Sequence, residues 1–135
     1  MAALRRIVST AIFPMDNMGI GRRNKVLKWG SSSGFTSGRV NPVVSVTRSA
    51  TTKNGPHFIA LEWPIVAFRP ALPFSAAGDS GSCVWTAGGE VVGMITGGLG
   101  RVYDGLHFIS DVTYITPMQW LMDDFEACGL EVEIA

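Results

Sequence analysis

After Arg22 the chain is cut into short apolar stretches by Gly, Ser, Pro and Asn, and this punctuation continues to residue 115. Short apolar runs between turn formers read as β-strands. Val26-Leu27-Lys28-Trp29 reads as a first strand and Ser31-Ser32-Ser33-Gly34 as a turn. Residues 35–46 read as a second strand with a bulge at Gly38. Residues 51–56 contain Asn54-Gly55, a strong hairpin signal. Residues 58–68 read as extended, and Pro64 within them calls for an edge or a bend, because proline offers no N–H to a sheet ladder. Residues 70–78 read as loop. Residues 82–86 and 91–96 form a hairpin around Ala87-Gly88-Gly89-Glu90, residues 97–105 a glycine-rich loop, and residues 106–115 one or two last strands. The end changes period. Thr116 and Gln119 have capping-box spacing around Pro117, then Met118, Leu121, Met122 and Phe125 share one helical face and Gly129 is a stop signal. About six short strands and one terminal helix predict an all-β antiparallel barrel or sandwich.

Bulk properties narrow the function. A chain of 135 residues suits one domain with a hydrophobic core. Its 47% apolar and 16% charged content is that of a folded globular protein. Eleven basic and eleven acidic residues cancel, so charge gives no case for nucleic acid or a membrane as partner. The same neutrality, with so much apolar content, favours self-association. No apolar run reaches the roughly 18 residues of a membrane-spanning helix. Cys83 and Cys128 are far apart, lack metal-type spacing, and read as two free buried thiols of a reducing compartment. Residues 1–24 form an N-terminal arm before the barrel of residues 25–135. Leu4, Ile7, Val8, Ala11, Ile12 and Met15 suit one face of a short helix there, and the apolar core at 7–13 is too short for a secretory signal. An intracellular protein without metal or cofactor is expected.

Gly78-Asp79-Ser80-Gly81-Ser82 carries the chemistry. A serine nucleophile must stand on a tight turn whose backbone N–H groups face one cavity, to receive a developing oxyanion. Glycine at 78 permits the required backbone angles, and glycine at 81 allows close approach of a substrate backbone. Taken alone, the same residues also fit a plain hairpin turn.

Over residues 25–127 the chain resembles the trypsin or chymotrypsin family of serine peptidases, specifically the C-terminal half of their double barrel, a six-stranded antiparallel β-barrel with a C-terminal helix. Lys25-Val26-Leu27-Lys28-Trp29-Gly30 and then Ser33-Gly34-Phe35-Thr36-Ser37-Gly38-Arg39-Val40 are similar to the opening of that barrel. The nucleophile motif matches except that Ser82 stands where the family has glycine. Val91-Val92-Gly93-Met94-Ile95-Thr96-Gly97-Gly98 resembles the hairpin strand leading to the substrate-pairing segment, and Thr113-Tyr114-Ile115-Thr116-Pro117 the last strand. The resemblance implies that Ser80 is the nucleophile, with the N–H groups of Gly78 and Ser80 as the oxyanion hole. Phe74 would sit at the base of the primary specificity pocket. An aromatic there, with no carboxylate nearby, argues against Lys or Arg preference. Thr96, Gly97 and Gly98 would form the pocket wall and the edge that pairs with peptide by β-augmentation. Asp79 in the family pairs with a freed N-terminus after zymogen cleavage. No activation site precedes the barrel here, which leaves Asp79 in need of another partner. Ala76 replaces a family cysteine, as in disulfide-poor branches.

The family's general-base His and its orienting Asp come from the N-terminal barrel. Residues 1–24 contain no His and one acid, Asp16. His57 reads as a surface residue beside a hairpin, and His107 lies beyond the nucleophile in the glycine-rich region. Removing the histidine of a triad costs on the order of a millionfold in turnover, leaving roughly 10³–10⁴ over water. The expectation is therefore a serine endopeptidase-like domain, incomplete or inactive alone, acting on peptide or protein with a second barrel or by self-association. A non-catalytic peptide- or protein-binding pseudo-peptidase is the alternative, and a truncated product without independent function is a third.

Overall fold

A computed structural model describes residues 6–7, 25–41, 43–50, 53–69, 72–104 and 107–133, with residues 6–7, 49–50, 100–104 and 107–110 described by their backbone alone. The strands are β1 (Arg6–Ile7), β2 (Lys25–Gly30), β3 (Gly34–Val40), β4 (Ser45–Ala50), β5 (His57–Ala67), β6 (Cys83–Thr86), β7 (Glu90–Asp104) and β8 (His107–Pro117). One helix follows, α1 (Met118–Ala127). The chain is all-β with a C-terminal helix.

Six of the strands pair in a closed ring, all antiparallel: β2 with β3, β3 with β5, β5 with β8, β8 with β7, β7 with β6, and β6 back to β2. Outside the ring, β4 pairs with the first half of β5, and β1 runs parallel to the start of β7. Pro64 lies where β5 changes partners. Residues up to Glu62 pair with β4, and from Ile65 onward the same strand pairs with β3. Proline lacks only the donor, and its carbonyl still accepts from the Asn41 N–H at 2.8 Å.

Side-chain alternation fills the ring. Val26, Val40, Trp63, Ile65, Phe74, Val84, Val92, Ile95 and Ile115 form one buried cluster. Each face of a strand repeats every second residue, so inward positions of neighbouring strands meet. On β2 those positions are Val26, Lys28 and Gly30, which turns Trp29 outward beside Phe35 of β3. On β8 they are Asp111, Thr113 and Ile115.

Four expectations need correction. The second strand is two, β3 and β4, and Gly38 is not a bulge, since β2 and β3 pair without a register shift. Gly38 instead lets Phe74 and Ile65 approach, because a Cβ there would lie 2.7 Å from Phe74 and 2.8 Å from Ile65. The glycine-rich stretch after Ile95 is strand rather than loop: β8 pairs with it as far as Asp104, with register shifts absorbing the irregularity. The helix begins after Pro117 with no side-chain cap, because Thr116 belongs to β8 and pairs with Met94. None of its residues is buried, and Phe125 is 37% exposed. Its stop is as expected: Gly129 has φ +76°, and the Gly129 and Leu130 N–H groups donate to Glu126 and Phe125. At Arg6–Ile7 the chain is extended, not helical, and the rest of the N-terminal arm lies outside the described residues. No described helix is long and apolar enough to cross a membrane.

Gly93 marks the tightest packing of β7 on β8, where a Cβ would collide with the Thr116 carbonyl oxygen. Gly93→Ala is expected to destabilise by about 1–3 kcal/mol in urea unfolding. Gly88→Ala, in an exposed turn whose nearest neighbour to a Cβ is 3.7 Å away, should change stability by less than about 0.5 kcal/mol.

Candidate functional site

Asp79 and Lys28 are both completely buried, and the Lys28 ammonium lies 3.3 Å from Asp79 Oδ2. A charge pair removed from water survives only if its remaining hydrogen-bonding capacity is met. Here it is met. Asp79 Oδ1 accepts the Ser32 N–H at 2.8 Å and the Ser33 N–H at 3.2 Å. Oδ2 accepts the Ala76 N–H at 2.9 Å and the Ser33 hydroxyl. Lys28 also donates to the Ser33 hydroxyl and to the Gly34 carbonyl at 3.0 Å. Burial pushes the Asp79 pKa up, but the hydrogen bonds from the Ser33 side chain and the Ala76, Ser32 and Ser33 amides outweigh it. They hold the carboxyl well below the usual carboxylate range.

That network clamps two loops together. The Ser31–Ser33 turn between β2 and β3 supplies the donors, while Asp79 belongs to the turn that carries Ser80. The Ser31 hydroxyl adds a bond to the Gly78 carbonyl at 2.8 Å. Gly30 and Gly78 make the clamp possible: a Cβ on the first would collide with the Asp79 carboxylate, and on the second with the Ser32 hydroxyl. Gly78 also has φ +98°, a conformation other residues adopt at a cost.

Ser80 sits exposed on the clamped turn, in neither helix nor strand. Around it the amides divide into two groups. Asp79, Gly81 and Ser82 donate to the carbonyls of Ala76, Ile95 and Asp79 respectively. The N–H groups of Gly78 and Ser80 have no partner among the described residues. The resemblance described above implies a role for these same two amides, as an oxyanion hole.

Beside the turn is a cavity of about 400 Å³, lined in part by Ser75, Ala76, Ser80, Ile95, Gly97, Gly98 and Asp111. Ser80, Gly97 and Gly98 all line this one cavity. Thr96 is not on the cavity. It is the unpaired residue of a register shift between Ile95 and Gly97, and its hydroxyl donates to Glu62 Oε1 at 2.5 Å. Phe74 is also elsewhere. Its ring is 1% exposed in the core, 5.8 Å from the Lys28 ammonium, and its chain neighbours Pro73 and Ser75 line the cavity instead. Past Met94, where β6 ends its pairing, Ile95 bonds Gly81 and Ser82. From Gly97 to Leu99 the edge of β7 opposite β8 has no strand partner among the described residues.

His57 lies exposed at the start of β5, and no histidine is among the described residues lining the cavity. The side chain of His107 lies outside the described residues. Cys83 and Cys128 are free thiols, one half-buried and the other exposed, and burial pushes the Cys83 thiol pKa up. Among the described residues no group of acids, histidines and cysteines is placed to hold a metal.

No family model matches this chain, and no curated protein matches it. Two residues of the site escape a reading of the sequence. Lys28 lies among apolar residues in a strand whose larger side chains, Leu27 and Trp29, suggest the opposite face. Counting back by twos from Ile115 would have placed Asp111 on the inward face.

The clamp gives a pH-dependent stability. The folded-state pKa of Asp79 lies below its unfolded value, so its contribution is complete above about pH 5 and is lost as pH falls toward the folded-state value. Asp79→Asn should flatten the acid limb of a stability–pH curve measured by urea titration between about pH 5 and 3. Lys28→Met, which leaves a buried carboxylate without its cation, should cost about 3–5 kcal/mol. Lys53→Met, in an exposed turn, should cost less than about 0.5 kcal/mol.

Proposed function

We propose that this chain is the C-terminal β-barrel of a chymotrypsin-fold, trypsin-like serine peptidase, with Ser80 as its acyl-accepting nucleophile. The observation that carries the reading is the pair of unpartnered amides at Gly78 and Ser80 on a turn clamped by a fully hydrogen-bonded, buried Asp79. A plain hairpin turn has no need of a buried ion pair beneath it. The closed ring of six antiparallel strands supports the barrel part of the reading. The open edge from Gly97 to Leu99, next to the cavity, suits a peptide backbone added as a further strand.

In this reading Lys28 takes the part played in the family by a freed N-terminus. Its ammonium meets the aspartate before the nucleophile from within the same barrel, so the turn needs no chain cleavage to find its cation. Acyl transfer then runs by attack of Ser80 Oγ on a carbonyl carbon, while the Gly78 and Ser80 amides receive the charge growing on its oxygen. Collapse of that adduct breaks the C–N bond, and the amine leaves with the proton the base has taken from Ser80. A base must take the hydroxyl proton, and the described cavity offers no histidine for it. A second barrel supplies that base. The hairpin of β4 and β5 supports a covering partner, since Phe58 and its neighbour Ile59 project from opposite faces of the strand at 56% and 72% exposure.

A non-catalytic peptide-binding module is the second reading, favoured by the same lack of a base and by the open strand edge. Acylation separates the two. With oxyanion stabilisation alone the expected residual advantage is roughly 10³–10⁴ over water. Incubation of the chain with p-nitrophenyl acetate should acetylate Ser80 at least about 100-fold faster than exposed Ser31, read by peptide mass spectrometry, and Ser80→Ala should abolish it. Equal labelling of the two serines would leave the binding module as the better account.

A further inference from the structure

Charge on this chain sums to zero but is unevenly spread. Residues 118–135 hold Asp123, Asp124, Glu126, Glu131 and Glu133 and no lysine or arginine. Residues 25–41 and 63–78 hold Lys25, Lys28, Arg39 and Arg69 and no acid. Lys28 is engaged by Asp79 inside the barrel, which leaves three exposed cations. Lys25 and Arg39 lie directly opposite each other on β2 and β3, where like charges repel. Both reach the Phe68 ring, the Lys25 ammonium 5.7 Å and the Arg39 guanidinium 5.3 Å from its centre. Phe68 and Arg69 in turn line a second cavity, of about 380 Å³, together with Phe35, Leu72 and Ser37. No acid is among its described lining, and among the described residues no carboxylate pairs with Lys25, Arg39 or Arg69.

The opposite excess surrounds the end of α1. Asp123, Asp124 and Glu126 crowd a helix end that its own carbonyls already make negative, and its last turn has no basic residue. After the stop at Gly129, Leu130-Glu131-Val132-Glu133 alternates apolar and acidic residues in neither helix nor strand. All four are exposed, Leu130 at 56% and Val132 at 43%. An extended segment of that pattern turns Leu130 and Val132 to one side and both glutamates to the other. Within one molecule the two regions lie apart. α1 packs against β7 and β8, whereas the cations stand on β2, on β3 and just beyond β5, and β3 and β7 are opposite members of the six-stranded ring.

We propose that the cavity at Phe68 receives residues 130–133 of a second copy of this chain. Leu130 and Val132 pack against Phe35, Phe68 and Leu72, and the two glutamates meet Lys25, Arg39 and Arg69. The occupant follows from complementarity: an apolar cavity rimmed by unpaired cations faces an apolar segment studded with acids. Contact relieves like-charge repulsion on both partners at once. Its apolar part supplies the attraction that exposed ion pairs alone do not. Because the two surfaces differ, association is head-to-tail, and each copy offers both a cavity and a segment. The inference does not depend on Ser80 being a nucleophile.

Sedimentation velocity of the whole chain tests this. Association is expected with a Kd on the order of 10–100 μM at about 50 mM NaCl, weakened about 10-fold or more at about 500 mM. Lys25→Glu combined with Arg39→Glu should abolish it, and so should Glu131→Lys combined with Glu133→Lys. All four positions are exposed, and a circular dichroism melt checks that each double variant keeps the fold. An equimolar mixture of the two should associate again, because the basic cavity of one meets the acidic segment of the other and the reversed surfaces also match. Neither general stickiness nor a contact through the β4–β5 hairpin gives that pattern. Should one double variant unfold, the salt dependence of the native chain and the other variant still decide. A native chain that stays monomeric overturns the proposal, as does association indifferent to salt and to both double substitutions, or a mixture that does not associate. A monomeric chain that binds a polyglutamate peptide assigns the cavity to another acidic partner and equally overturns the second copy.

Discussion

The buried contact between Lys28 and Asp79 is the constraint on which the rest of the site depends. Neither group could enter the interior alone, because an unpaired charge there costs several kcal/mol. Together they succeed because the turn after β2 folds over them. Two amides and a hydroxyl from Ser32 and Ser33, with the Ala76 amide, fill the carboxylate, while Ser33 and Gly34 accept from the ammonium. The pair therefore ties three segments to one point: β2, the serine turn behind it, and the loop that enters the Ser80 turn. Removing either charge frees more than one contact. A well-packed hydrophobic replacement of the pair is compatible with a stable fold, but it no longer fixes how the turn at 78–82 is bent.

What was legible in the sequence follows from which signals are local. The hairpin at Asn54-Gly55, the β6–β7 hairpin and the stop at Gly129 were legible, because each depends on a few adjacent residues with special backbone preferences. The position of Ser80 on a turn was legible for the same reason. Lys28 was not. Val26-Leu27-Lys28-Trp29 alternates in a way that favours Trp29 inside, and only the requirements of Asp79, distant in sequence, decide that Lys28 goes in and Trp29 out. Phe74 was misplaced for a related reason. Counting residues back from a nucleophile gives a position along the chain, whereas the core has room for a ring at Gly38 and takes it.

Strand β7 shows the same competition between local and distant signals. Gly97-Gly98 and Gly100 weaken any intrinsic strand preference, so the segment reads as loop. The backbone nonetheless pairs with β8, since an antiparallel neighbour offers a ladder that glycine can join as well as any residue. Cost appears as irregularity, in register shifts near Ile95 and Leu99 rather than as lost pairing. The capping box at the helix start fails by similar logic. Thr116 has a ladder partner in Met94, and a residue committed to a sheet cannot also turn its side chain to cap a helix.

The first of those shifts also shapes the cavity. Ile95 lies opposite Ile115, yet Gly97 lies opposite Tyr114, so Thr96 is the extra residue on β7. Were Thr96 paired in a regular ladder, Gly97 would lie opposite Thr113 and every later residue of β7 would change face, because side chains alternate with a period of two. The bulge thus sets which residues of β7 look across at Thr113 and Val112: Gly98 faces Thr113, and Leu99 faces Val112. Small residues then stand where larger ones would fill the space. Thr96 is held out of that space by Glu62, whose carboxylate accepts its hydroxyl. A threonine that sequence reading assigns to the pocket wall therefore acts on the pocket through register, by deciding which of its neighbours line it.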